Sequence, residues 1–157
     1  VLTVVIGPPA GGKSTWVLRR AKPGDIVVDF DRLAVALTGQ GGDPHDHPPA
    51  VAAVARVVRA AAVEAAVKQA RTTDVYLIHS SPRQQRMAEY VALGAEVVTI
   101  DPGRDVVRER CKTERPRRMF AAIDEWYRRR GEGQQPSTRA RPSPPVFSFP
   151  ATTSRDW

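Results

Sequence analysis

An α/β fold, with a mostly parallel sheet doubly wound by helices on both faces, is predicted by three features of this 157-residue chain. Short apolar, β-branched runs alternate with longer stretches of helical periodicity, the pattern of parallel strands joined by crossover helices. The first run ends in a glycine-rich turn that opens directly into a helical stretch, as at the first crossover of an open α/β sheet. No segment repeats, which argues against a solenoid or propeller.

Each element has a local reason. Leu2-Thr3-Val4-Val5-Ile6 is the first buried strand, and Ser14 to Ala21 the first helix. Lys22-Pro23-Gly24-Asp25 is a turn by composition. Ile26-Val27-Val28 is the second strand; it ends at Asp29-Phe30-Asp31-Arg32, where a helix is expected to begin near Phe30. Thr38 to Pro49 reads as a mobile loop. Its His45, Asp46 and His47 lack a fourth nearby ligand and point to a substrate-facing or solvated loop rather than a structural metal.

Ala50 to Arg71 is an alanine-rich packing helix, with Val51, Val54, Val58, Ala61, Ala62 and Ala65 at helical spacing as the expected inner stripe. Val75 to Ile78 is the third strand, followed by His79-Ser80-Ser81-Pro82. Ser80 or Ser81 is the expected cap of a helix from Arg83 to Leu93, with Gly94 just beyond its end. Ala95 to Ile100 is the fourth strand. A helix carrying Val106, Val107 and Arg110 leads through a basic connector, Lys112 to Arg118, into a last helix from Met119 to Arg130. Met119, Ala122, Ile123 and Trp126 form its core-facing stripe. From Gly131 the composition turns to proline, serine and arginine without apolar periodicity. The chain therefore divides into a domain over 1–130 and an irregular tail over 131–157, which Phe147, Phe149 and Trp157 are placed to pin to the domain or to a partner.

Composition narrows the class. The single cysteine, Cys111, excludes an internal disulfide framework and suits a reducing cytoplasm. No stretch is long and apolar enough for a signal peptide or membrane span, so a cytoplasmic location without membrane attachment is expected. Of the formal net charge of +7, a surplus of six lies between Arg104 and Arg141, where twelve Lys/Arg meet six Asp/Glu. That basic field suits an anionic substrate, nucleic acid or nucleotide.

The glycine-rich turn is Gly7-Pro8-Pro9-Ala10-Gly11-Gly12-Lys13-Ser14, followed by Thr15. It fits G-x-x-x-x-G-K-[ST] without a mismatch, and its strand and helix flanks are those of a phosphate-binding loop. Glycines let successive backbone N–H groups turn inward around an anion, and the helix start adds partial positive charge. ATP is thus the expected cofactor, with Lys13 on the β- and γ-phosphates and Ser14 on Mg²⁺.

Phosphoryl transfer also needs a base for the acceptor hydroxyl and cations for the migrating group. Asp29, at the carboxyl end of a parallel strand, faces the same crevice; Asp31 is its rival, because strand register decides which turns inward. Arg110, Arg115, Arg117 and Arg118 lie in a connector placed to close over the triphosphate. The phosphate loop together with Val27-Val28-Asp29-Phe30-Asp31-Arg32 resembles the small P-loop kinases of the polynucleotide 5′-hydroxyl kinase group and their zeta-toxin-like relatives. The resemblance covers roughly residues 1–130. It implies that Asp29 is general base, Arg32 contacts the acceptor's phosphate, and the Arg110–Arg118 stretch is an arginine-bearing lid. Where phage-type members carry an aspartate after the third strand to fix that acceptor arginine, this chain reads His79-Ser80-Ser81.

The expected activity is transfer of the γ-phosphate of ATP to a hydroxyl, in first place a nucleic-acid 5′-OH. The variant acceptors are a nucleoside, nucleotide, modified base or sugar-nucleotide. The alternative is an ATP-binding or hydrolysing regulatory or assembly module, since Ile26 to Asp29 also mimics a metal-binding strand end.

Overall fold

In a computed structural model that describes residues 1–131, four strands alternate with six helices: β1 (Leu2–Ile6), α1 (Lys13–Leu18), β2 (Ile26–Val28), α2 (Phe30–Leu37), α3 (Pro49–Gln69), β3 (Val75–His79), α4 (Gln84–Ala92), β4 (Glu96–Thr99), α5 (Arg104–Glu114) and α6 (Met119–Gly131). The tail beyond 131, with the anchoring expected of Phe147, Phe149 and Trp157, lies outside the described residues. No described helix is long and apolar enough to cross a membrane.

The strands form one all-parallel sheet in the order β2-β3-β1-β4. β1 is central because both its faces are apolar: Leu2 and Val4 point one way, Val5 the other, and all three are buried. On the first face they join Val28, Leu77 and Val75 with Val63 and Ala66 of α3 and Tyr90 of α4. On the second, Val5 and Ile78 pack on Val17 of α1, with Trp16 and Ala21 beside them. Helices thus cover both faces, as the alternating pattern requires. A third cluster, Val107, Cys111 and Ile123 with Ala10, docks the α5–α6 pair directly onto the glycine-rich turn.

Several local expectations are revised. β4 is an exposed edge strand, one residue shorter at each end than the expected Ala95 to Ile100, and Val97 is 41% exposed. Neither serine caps α4, which starts after Arg83 without a side-chain cap. α5 carries Arg110 as expected but runs on through Lys112 to Glu114, so only Arg115 to Arg118 form the connector. In α6, Ile123 and Trp126 are buried and Met119 packs beside them as expected, but Phe120 and Tyr127 complete the stripe in place of the exposed Ala122.

The largest revision concerns α3. Its inner row is Ala55, Val63 and Ala66, while Val54, Ala61 and Ala65 of the expected stripe are exposed. Alanine and valine occur all round this helix, so its periodicity gives little contrast between faces. Contacts with β2, β3 and α2 choose the face instead.

Candidate active site at the carboxyl ends of the strands

The turn after β1 is shaped by a close approach. A Cβ on Gly7 would lie 2.1 Å from the Ile100 carbonyl oxygen, and one on Gly11 2.9 Å from that of Pro8. The backbone that leaves β4 therefore presses on the loop where only hydrogen fits. Gly12 (φ 91°) and Ala10 (φ 57°) lie in the left-handed region, Ala10 being the only non-glycine there among the described residues. For alanine that conformation costs about 1 kcal/mol, strain held at one point of a loop whose neighbours fix it. Gly7, Pro8, Pro9, Ala10 and Gly11 are buried; Thr15, at the expected end of the motif, is exposed.

Lys13, the first residue of α1, turns back across the loop. Its Nζ donates to the carbonyls of Gly7 (2.9 Å) and Pro8 (2.7 Å), so the ammonium is held within the loop itself. Burial and, secondarily, the Arg115 guanidinium push its pKa down to about 8; the carboxylates of Asp29 and Asp31 pull the other way. Loop, lysine, both aspartates and a connector arginine therefore share one electrostatic neighbourhood.

The two rival aspartates have separate surroundings. Asp29 ends β2 and is buried at 6% exposure. Its Oδ1 accepts from the Asp31 N–H at 3.1 Å, capping α2, while its Oδ2 accepts from Ser14 Oγ at 2.6 Å. Asp31 is further out. Arg115 donates to its Oδ2 at 2.8 Å, and His45 Nδ1 and His47 Nε2 lie 3.0 and 3.2 Å from its two oxygens. Burial alone would raise the Asp31 pKa; hydrogen bonds from Arg115, His45 and His47 outweigh it and hold the carboxyl below the usual range. Asp29 faces the glycine-rich loop, and Asp31 ties the connector after α5 to the histidine loop. No protein-family model matches the chain, and no curated protein matches it significantly. The functional reading rests on this geometry.

The four arginines expected to form a lid divide. Arg110 on α5 reaches the loop, its NH1 3.5 Å from the Ala10 carbonyl oxygen and close over Gly12. Arg115 is 17% exposed, with its buried Nε unpartnered. Arg118 pairs with Asp46 instead, and Arg117 is exposed. The loop expected to be mobile is thus fastened through His45, His47 and Asp46.

Arg32 departs from expectation. As the third residue of α2 it is exposed, and it pairs with none of the described residues. The cation held beside the strand ends is Arg59 of α3, whose NH2 donates to the Ile78 carbonyl at 2.8 Å and to His79 Nδ1 at 3.1 Å. His79 Nε2 in turn lies 3.1 Å from the Tyr90 hydroxyl. Sequence reading missed all three. The available signal was an arginine four residues from Ala55 and from Val63, in line with what became the inner row.

For Mg²⁺ the fit is good. Ser14 offers a hard hydroxyl oxygen oriented by its 2.6 Å hydrogen bond to Asp29, and this ion keeps several waters and takes few protein ligands. An apolar groove of about 340 Å³ along β2, lined by residues such as Ile26, Val28, Leu33 and Ala62, includes no loop residue and lacks the charged groups phosphate binding needs.

Proposed function

We propose that the chain is an ATP-dependent phosphotransferase that moves the γ-phosphate to an acceptor hydroxyl, in first place the 5′-OH of a nucleic acid. The finer fold assignment, a P-loop NTPase, belongs to the same reading. The observation that carries it is the Ser14–Asp29 pair: a buried carboxylate at the end of β2, two strands from β1, meets the hydroxyl of the glycine-rich loop at 2.6 Å. A base for an incoming alcohol must stand beside the phosphate to be transferred, and the closeness of Asp29 to the loop serine supports that role for it.

In this reading the loop amides and Lys13 bind the triphosphate, Lys13 exchanging two carbonyl partners for phosphate oxygens. Arg110 and Arg115 supply positive charge over the same loop as negative charge develops on the migrating group. Asp29 holds the acceptor hydroxyl and takes its proton. Ser14, oriented by its bond to Asp29, would hold Mg²⁺, which would supply further neutralisation of the phosphates. The α5–α6 pair, packed on Ala10, keeps water from the loop, which favours transfer over hydrolysis.

The same bond supports a second reading. A carboxylate that binds the loop serine is also what a metal-organising strand end provides, as in an ATP-hydrolysing regulatory module. Incubation with γ-labelled ATP and 5′-OH DNA, 5′-OH RNA, nucleosides or water alone separates the two. Label in an acceptor is the expected result; label found only as free phosphate would favour the second reading and overturn the first.

A further inference from the structure

One face of β2 is poorly covered. Ile26 and Val28 turn toward α3, and Leu33 of α2 packs with them, but the α3 residues that line the same space are Ala62, Ala65 and Ala66. Methyl groups are too small to fill the gap between a strand and a helix to interior density. The result is the groove of about 340 Å³ described above, rimmed by the exposed Ala65 and Gln69. A cavity of about 150 Å³ already takes a benzene ring, so this one has room for two.

The same place is a sheet edge. β3 pairs one side of β2, and no described strand pairs the other. The Ile26 N–H turns inward, to the Asp74 carbonyl at 2.9 Å, so the alternation of the backbone turns the N–H and C=O of Val27 outward. An apolar groove beside an open backbone edge suits an extended segment, which bonds the edge through its main chain and seats alternate side chains in the groove.

The chain carries a segment of that pattern outside the described residues. In Val146-Phe147-Ser148-Phe149 the two phenylalanines stand two apart, the period of a strand, and prolines at 144, 145 and 150 bound the run. With Ser148 opposite Val27, Phe147 and Phe149 fall on the face of Ile26 and Val28, which is the grooved one. The reach suffices. Trp126 Nε1 of α6 donates to the Ser80 carbonyl at 3.1 Å, which brings α6 to the carboxyl end of β3. β2 is the next strand, about 4.8 Å further on. The fourteen residues 132–145 can span up to about 45 Å.

We propose that Val146 to Phe149 of the chain's own tail dock as a fifth strand on the free edge of β2, with Phe147 and Phe149 seated in the groove against Ala62, Ala65 and Ala66. A tether of this length holds the segment near the groove at an effective concentration on the order of millimolar, which favours the chain's own tail over that of a second copy. The docking uses neither ATP nor an acceptor, so it stands apart from the kinase reading.

Amide exchange on the full chain, at two protein concentrations, tests it. The Val27 amide should exchange at least about tenfold more slowly in the wild type than in the double variant Phe147→Ser/Phe149→Ser. Ile26, bonded to Asp74, and the amides of β1 should be unchanged and serve as the control for an intact sheet. Ala65→Glu, at an exposed position on the rim, should speed Val27 exchange as much as the tail variant does, with no further effect when the two are combined. Equal Val27 exchange in the wild type and the tail variant overturns the proposal, as does Ala65→Glu with Val27 still protected. Loss of protection at Val97 and Val98 of β4 instead of Val27 would place the segment on the other edge and overturn it too. Protection of Val27 that rises with protein concentration would assign the groove to a second copy's tail, against the intramolecular docking. Should Ala65→Glu fail to fold, the tail variant decides alone.

Discussion

Lys13 is where the physics of single residues is sharpest. Its ammonium sits in a desolvated loop, and its pKa of about 8 lies more than two units below the ordinary lysine value of 10.5. Triphosphate binding would restore its charge, because four nearby negative oxygens far outweigh the two carbonyls it now holds. At pH 8.5 to 9 the free protein is largely deprotonated at Lys13, so binding of ATP should take up a proton. Calorimetry in buffers of different ionisation enthalpy should report an uptake approaching one proton near pH 9 that vanishes below about pH 7. An uptake independent of pH would contradict this assignment. Lys13→Ala should abolish ATP binding, and retained affinity would refute the phosphate-loop reading. Gly7 is the steric counterpart. Gly7→Ala would place a methyl 2.1 Å from the Ile100 carbonyl, a clash with backbone that cannot rotate away. Thermal unfolding should show a loss of about 1–3 kcal/mol, the range of overpacking in a tight site; an unchanged midpoint would mean the loop sits further from β4 than described.

At the level of elements, Asp31 joins three segments that are distant in sequence: α2, the loop before α3, and the connector after α5. Asp31→Asn removes the charge to which Arg115 and both histidines turn. Because Asp31 is 30% exposed, the stability loss should be only about 1 kcal/mol. The local effect should be larger, with amide exchange in residues 39–48 and 115–118 accelerated by about tenfold, relative to unchanged protection in β1 and β3. Equal exchange in both proteins would show that the latch holds nothing. This latch also marks the limit of what sequence could reveal. The four strands, the glycine-rich loop and Asp29 at the end of β2 were legible because their signals are local: β-branched runs, a spaced glycine motif, a carboxylate at a strand end. His45, His47 and Arg115 meet at Asp31 only through tertiary folding, so the loop read as mobile. Arg59 was hidden for another reason. In an alanine-valine helix the hydrophobic pattern barely distinguishes one face from the next, and its inner arginine looked like a surface one.

For the whole molecule, strand order sets the site. β1 lies between β3 and β4, so the chain leaves it toward one side of the sheet through α1 and later reaches its other side through α4. Ligands in open α/β sheets bind at such switch points, beyond the carboxyl ends of the strands. There the loop, Asp29, Arg59 and the α5–α6 pair converge, and the basic surplus falls on that same C-terminal third. If the acceptor is a nucleic-acid end, affinity for a short 5′-OH oligonucleotide should fall by about tenfold between 50 and 200 mM salt, as expected for about three phosphate contacts on a single strand. Affinity that ignores salt would remove nucleic acid from consideration and leave the small acceptors. Transfer itself turns on Asp29. Single-turnover transfer from γ-labelled ATP, measured beside ATP affinity in Asp29→Asn, tests it most directly. Affinity should stay within a few-fold of the wild type while transfer slows by at least about a hundredfold, the scale of a lost general base. Transfer at the wild-type rate in that variant, or a loss of rate in Asp31→Asn alone, would contradict it.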